Sequence, residues 1–160
     1  LSSFVFDSDS TEATDRLARA LIAVLPTRAT IALNGTLGAG KTRFVQGLAA
    51  AAGIDPATVT SPTFVLCQQY TSSTVGQRRL YHLDAYRLHD VDEFRELGTD
   101  ELYDEPALTL IEWADKIEPA LPDSYLLVRI DVTGPTSRRF TISVVGDELA
   151  NIPAQLAQAV

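Results

Sequence analysis

Eight consecutive residues, Gly35-Thr36-Leu37-Gly38-Ala39-Gly40-Lys41-Thr42, follow the pattern G-x-x-x-x-G-K-[ST]. The chemistry this pattern suits is phosphate binding. Glycines let the backbone turn tightly and aim successive N–H groups inward. A helix beginning near Lys41 adds the positive end of its dipole. Lys41 brings an ammonium to the β/γ-phosphates, and the Thr42 hydroxyl is a ligand for Mg²⁺. The chain has two lysines, Lys41 and Lys116, against 11 arginines. A lysine at the one place where such a loop needs it is unlikely to be an accident of composition.

Mg²⁺-nucleotide chemistry also needs a carboxylate at the end of a buried strand beside the loop. Two runs offer one: Leu80-Tyr81-His82-Leu83-Asp84 and Leu108-Thr109-Leu110-Ile111-Glu112. Spacing alone leaves open which acid meets the metal and which orients water, and an acid at a strand end can simply face solvent. Ser61-Pro62-Thr63-Phe64 follows about ten residues after the loop's helix, where a threonine can sense a γ-phosphate or merely lead into a strand. Trp113, the only tryptophan, reads as a core aromatic or a cover for the site. His82 and His89 read as structural or exposed rather than catalytic. No His/Cys cluster suggests zinc, and Cys67 reads as an inert core thiol. The pairs Arg78-Arg79 and Arg138-Arg139 read as surface charges on strands, with contacts to nucleotide or RNA as the second reading. The acids between Asp90 and Glu105 read as a solvated face, with a docking surface for a basic partner as the second reading.

The elements that must position these groups are legible in the hydrophobic pattern. Phe4-Val5-Phe6 predicts a short strand, and Ser8 to Ser10 offer helix caps. Leu17, Leu21, Val24 and Leu25 predict an amphipathic helix over residues 11–25, ended by Pro26. Ala29 to Asn34 predicts a buried strand running into the Gly-rich loop. An Ala-rich helix follows from about 41 to 52. Strands are predicted over Thr63 to Tyr70 and Arg79 to Asp84 with a turn near Gly76. A helix is predicted over Asp90 to Glu105 and a strand over Ala107 to Ile111. Leu126–Val132 and Arg139–Val145 predict a hairpin around Gly134-Pro135, and residues 147–159 a last helix. The interleaving predicts an α/β layered domain.

At 160 residues the length predicts one domain over 1–160, and 46% hydrophobic residues supply a core. The net charge of −8 excludes holding nucleic acid by a generally basic surface. One cysteine precludes an internal disulfide. No apolar run approaches a membrane span, and Leu1-Ser2-Ser3-Phe4 lacks the regions of a signal peptide. A cytoplasmic location is therefore expected, and the absence of methionine suggests a trimmed or processed chain.

Five motifs in this order resemble one family. They are the loop at 35–42, Ser61-Pro62-Thr63-Phe64, His82-Leu83-Asp84-Ala85-Tyr86-Arg87-Leu88, Glu93 to Gly98, and Ile111-Glu112-Trp113. Together they resemble the TsaE (YjeE) family, the bacterial ATPase subunit of the machinery making threonylcarbamoyladenosine in tRNA, over about residues 10–140. The resemblance implies a P-loop NTPase-like three-layer α/β domain, its central sheet mostly parallel with antiparallel additions. It implies ATP and Mg²⁺ as cofactors and weak hydrolysis that partners stimulate. The partners it implies are TsaB and TsaD, which carry out the transfer, with tRNA reached only through the complex. ATP turnover would then reset that complex between cycles.

By position, the resemblance makes Lys41, Asp84 and Glu112 the catalytic set and Thr42 and Glu112 the metal ligands. Asp84 would assist hydrolysis or hold the metal's water shell. Gly35, Gly38, Ala39, Gly40, Lys41, Thr42 and Arg43 would hold the nucleotide, joined by Glu112 and Trp113. Thr63 would belong to a nucleotide-sensitive switch, and Thr11 and Thr136 would lie near the adenine. Two positions depart from the family pattern: Thr36 stands where Asp is usual, and Ala114 where Pro often follows the Glu-Trp pair.

Other readings fit less well. A small-molecule kinase needs an acceptor site and usually an arginine-bearing lid, and no long insertion with clustered arginines is present. A GTP switch needs an N-K-x-D guanine reader, and neither Asn34 nor Asn151 starts one. A degenerate loop kept only for binding sits poorly with an intact Gly40-Lys41-Thr42 and two candidate acids.

Overall fold

The computed structural model describes residues 2–61, 66–72 and 78–160. In chain order the elements are β1 (Ser3–Ser8), α1 (Thr11–Val24), β2 (Ala29–Gly35), α2 (Lys41–Ala51), β3 (Cys67–Thr71), β4 (Arg79–Asp84), α3 (Val91–Arg95), α4 (Thr99–Asp104), β5 (Leu108–Glu112), β6 (Tyr125–Val132), β7 (Arg138–Val145) and α5 (Ile152–Ala159). Short 3₁₀ segments cover Pro56–Thr58 and Ala114–Ala120.

One seven-stranded sheet has the order β1-β7-β6-β2-β5-β4-β3. Its middle, β6-β2-β5-β4, is parallel. β7 and β1 extend it antiparallel on one side and β3 on the other. Two apolar cores lie on its two faces. Ile31, Leu33, Leu80, Leu108 and Leu110 pack with α1, α2 and α5. Ala32, Tyr81, Leu83 and Ile111 pack with Phe94 of α3 and Ile117 of the second 3₁₀ segment. The result is three layers, helix–sheet–helix, as the layered reading expects.

Alternation decides where the acids go. Successive strand residues point to opposite faces. Leu108 and Leu110 enter the α1/α2 core, so Glu112 falls on that same face, under the first turn of α2. Leu80, His82 and Asp84 share a face for the same reason. Residues 80–84 and 108–112 pair in register, Asp84 opposite Glu112. Both acids therefore end neighbouring parallel strands, the edge where open α/β sheets place their ligands.

Several boundaries differ from expectation. α1 stops at Val24 because Leu25, before Pro26, is extended at φ −72°, ψ 138°; proline's ring disfavours helix in its predecessor. Ser10 caps the other end, its Oγ accepting from the Ala13 amide at 3.2 Å. The single helix predicted from Asp90 to Glu105 is two short ones, broken where Gly98 takes φ 76°. α5 begins only at Ile152, because Pro153 has no N–H and fits only the first turn. The described part of the third strand is Cys67–Thr71 rather than Thr63 to Tyr70; Thr63 and Gly76 lie outside the described residues. The β6–β7 hairpin stands as predicted, one residue longer at each strand's start. Among the described residues no helix is long and apolar enough to cross a membrane.

Candidate functional site

The chain leaves buried β2 at Gly35 and must turn at once into α2. Gly40 makes this possible at φ 106°, a conformation costly for any residue with a Cβ. The turn is closed by the Ala39 amide donating to the Thr36 carbonyl at 3.0 Å. Gly40 offers α2 no side-chain cap. The first-turn amides of α2 are thus the donors that a bound anion would satisfy.

A cleft of about 270 Å³ opens between this loop and the ends of β4 and β5. Lys41, Thr42, Ser61, Asp84, Tyr86, Glu112 and Trp113 are among its walls. Glu112 is only 2% exposed. Its Oε1 and Oε2 lie 2.9 and 3.1 Å from the Thr42 hydroxyl, which donates to them. His82 Nε2 lies 2.6 Å from Glu112 Oε2. The Asp84 carboxylate accepts from the Tyr86 amide at 2.8 Å and from the Ser61 hydroxyl at 3.2 Å. The Ala85 amide donates to the Glu112 carbonyl at 3.0 Å, tying the two strand ends together.

Lys41 is folded onto its own loop. Its ammonium donates to the carbonyls of Gly35 at 2.7 Å and Thr36 at 3.0 Å, and lies 4.0 Å above the Trp113 ring. Burial pushes its pKa down, while the charges of Glu112, Asp84 and Asp115 oppose that shift. Trp113 has φ 58°, the one non-glycine residue with positive φ among the described residues. That conformation carries strain of about 1–2 kcal/mol. It turns the indole back over the loop, where it also meets Tyr86 at 4.9 Å.

Behind the loop lies a second, larger cleft of about 500 Å³. Thr11 and Ser10 from the start of α1, Ala39, Gly40 and Arg43, and Pro135, Thr136 and Arg138 from the hairpin line it. Gly40 and Arg43 border both clefts. Thr11 and Thr136, far apart in sequence, are thus brought together beside the glycine loop. Arg43 is held by Asp15 of α1 at 2.8 Å.

Of the predicted site residues, Gly38, Gly40, Lys41, Thr42, Arg43, Asp84, Glu112 and Trp113 share the first cleft. Gly35 ends β2, and its carbonyl meets Lys41. Thr63 lies outside the described residues; its neighbour Ser61 reaches Asp84. One arginine reading needs correction. Arg138 is not a surface charge: its Nε donates to the Ala39 carbonyl at 2.9 Å, and its Nη1 to the carbonyls of Gly134 and Ser137. His82 takes the structural alternative, fully buried with its Nε2 against Glu112. Its position two residues before Asp84 was the available signal, since that spacing puts both on one strand face. Arg138 had no such signal, because its contact depends on the hairpin folding over the loop. Arg139 does remain outside, paired with Asp7.

The donor set suits Mg²⁺, which takes hard oxygen ligands and usually keeps waters and substrate phosphates as the rest of its shell. Thr42 and Glu112 present oxygens about 3 Å apart at the mouth of the glycine loop. Among the described residues no group of three or more His, Cys, Asp or Glu forms an all-protein cage.

A family profile described as "Threonylcarbamoyl adenosine biosynthesis protein TsaE" matches residues 8–140. The tRNA threonylcarbamoyladenosine biosynthesis protein TsaE of Bacillus subtilis is 35% identical over 92% of this chain and 89% of its own length. The protein of that name from Treponema pallidum is 33% identical over 85% of this chain and 97% of its own. A crystal structure of Bacillus subtilis YdiB superposes with a TM-score of 0.79, at 30% identity, covering 98% of this chain and 95% of that one.

Proposed function

The chain belongs to the TsaE family, and we propose that it is the Mg²⁺-dependent ATPase subunit that supports threonylcarbamoyladenosine formation in tRNA. The observation that carries this reading is the meeting of Thr42 and Glu112 at the phosphate loop, with Asp84 beside them in register. A loop kept only for binding does not require two buried-strand acids at its mouth.

In this reading the loop amides hold the β- and γ-phosphates. Lys41 leaves the carbonyls of Gly35 and Thr36 for the phosphate oxygens, a stronger charge-assisted partner. Mg²⁺, when bound by Thr42 and Glu112, supplies charge neutralisation at the phosphates. Asp84, held by Tyr86 and Ser61, orients a water in line with the γ-phosphorus. The new P–O bond forms to that water as the β–γ bridging bond breaks, giving ADP and phosphate, with the water's protons passing to solvent or phosphate. The adenine occupies the second cleft, between Thr11 and Thr136. The carboxylate contacts hold these groups in place before reaction, the condition for electrostatic preorganisation.

TsaB and TsaD are the proposed partners and the site of group transfer. This chain contributes turnover, and tRNA is reached through the complex. The reading takes residues 1–160 as one nucleotide-binding domain acting in the cytoplasm. Steady-state ATP hydrolysis by the chain alone and with the cognate TsaB–TsaD pair tests it. Slow hydrolysis that rises with the pair is expected. Turnover indifferent to the pair would overturn the partner-gated ATPase and turn attention to small phosphoryl acceptors.

A further inference from the structure

Glu112 is a buried carboxylate with an unusual set of neighbours. No guanidinium reaches it among the described residues; it is held by one hydroxyl and one imidazole. The hydroxyl of Thr42 has a single proton to share between two carboxylate oxygens and also faces the cleft. The imidazole is different. His82 is 0% exposed and lies on β4, one strand in from the sheet edge, in register with Gln68 of β3 and Leu110 of β5. Its Nε2 is 2.6 Å from Glu112 Oε2, while its Nδ1 is buried with no hydrogen-bond partner among the described residues.

We infer that His82 is a positioning residue for Glu112: it donates Nε2–H to Oε2 and so fixes the plane of the carboxylate that the Thr42 hydroxyl meets. The short contact at Nε2 decides the tautomer. Glu112 as a carboxylate accepts only, so the proton must be on Nε2 for a bond this short to form. The ring is locked by the strands on both sides, so the donor has little freedom to follow a moving acid. With His82 on Oε2, Oε1 is the oxygen nearer to Thr42, at 2.9 Å against 3.1 Å. Groups in this relation to a metal-binding carboxylate usually change metal affinity about 10–100-fold when removed. The inference rests on the proposed Mg²⁺-nucleotide reading of the site.

The test compares two substitutions. The amide nitrogen of glutamine in His82→Gln can occupy the place of Nε2, whereas the shorter asparagine in His82→Asn falls short of Glu112. ATP affinity is measured by calorimetry with and without Mg²⁺. His82→Asn is expected to lose about 10–100-fold of the affinity that Mg²⁺ confers, with metal-free ATP affinity unchanged, and His82→Gln to stay close to wild type. Equal losses with and without Mg²⁺, or an intact Mg²⁺ effect in His82→Asn, would overturn the inference alone. A wild-type chain whose ATP binding ignores Mg²⁺ would overturn the nucleotide reading and this inference with it. Long-range ¹⁵N–¹H spectra of the wild-type imidazole supply a readout that needs no substitution. A proton on Nε2 is expected; an Nε2 that carries none would overturn the assignment whatever the variants do.

Discussion

At the scale of single residues, Glu112 and Lys41 show how burial is turned to use. Glu112 is nearly sealed from water yet keeps two donors on its oxygens, so its desolvation is offset by directed hydrogen bonds. Glu112→Gln replaces one acceptor oxygen by a donor aimed at Thr42 or His82. We expect at least about a 100-fold fall in ATP turnover, of the order seen when a preorganised charge contact is lost, with the fold retained; unchanged turnover would remove Glu112 from the site. Trp113 is a different case. Its αL backbone is strained, and the strain holds the indole over Lys41. Trp113→Gly relieves the backbone while deleting the ring. Stability should move little relative to a core tryptophan loss, which runs to about 3–5 kcal/mol, while ATP affinity falls. Urea unfolding beside calorimetry with ATP checks this, and a loss of several kcal/mol with intact affinity would make Trp113 a core residue only.

At the scale of elements, the two carboxylates are placed by strand register and the glycine loop by one helix start. The breaks between elements matter equally. α3 ends at Arg95, and Gly98 at φ 76° then caps the start of α4, turning one acidic stretch into a corner. Gly98→Ala forces a Cβ into that conformation with Glu101 Oε2 only 3.3 Å away. It should cost about 1–2 kcal/mol, read from a urea midpoint, with ATP binding unaffected. The sheet edge is tied by Asp7 of β1 and Arg139 of β7, opposite each other in register. The guanidinium's hydrogen bond holds the Asp7 carboxyl below the usual carboxylate range. A lowered acid contributes its stability above its titration range and loses it as pH falls through the folded value. Asp7→Asn should therefore lower Tm slightly at neutral pH, and the gap should close in acid. A gap that persists there would assign the effect to packing instead.

At the scale of the whole molecule, charge and shape divide the work. A net charge of −8 leaves no general attraction for a polyanion. The acidic run is partly used internally: Asp90 caps α3, Glu93 meets the His89 amide, and Glu105 pairs with Arg79. The chain alone should show no saturable tRNA binding near physiological salt, in a filter or mobility assay, and should be retained with tRNA only alongside its proposed partners. Tight binding by the isolated chain would mean that a local basic surface outweighs the overall charge.

The amino-acid sequence by itself determined what is local. The glycine pattern, the strand before it and the helix after it are contiguous, so Lys41 and Thr42 were legible as a proposed phosphate site. Alternation along residues 80–84 and 108–112 likewise marked Asp84 and Glu112 as strand-end acids. The boundaries at Leu25 and Ile152 follow from prolines that could be read the same way. Tertiary structure decided what depends on pairing. That Glu112 rather than Asp84 meets Thr42 follows from β5 lying next to β2, an order that local periodicity does not encode. His82 gains its acid only when β4 and β5 align, and Arg138 its carbonyl only when the hairpin closes over the loop. Thr11 and Thr136 share a cleft for the same reason. Such contacts join residues far apart along the chain, and their partners are chosen by packing of the whole sheet, not by any pattern within one segment.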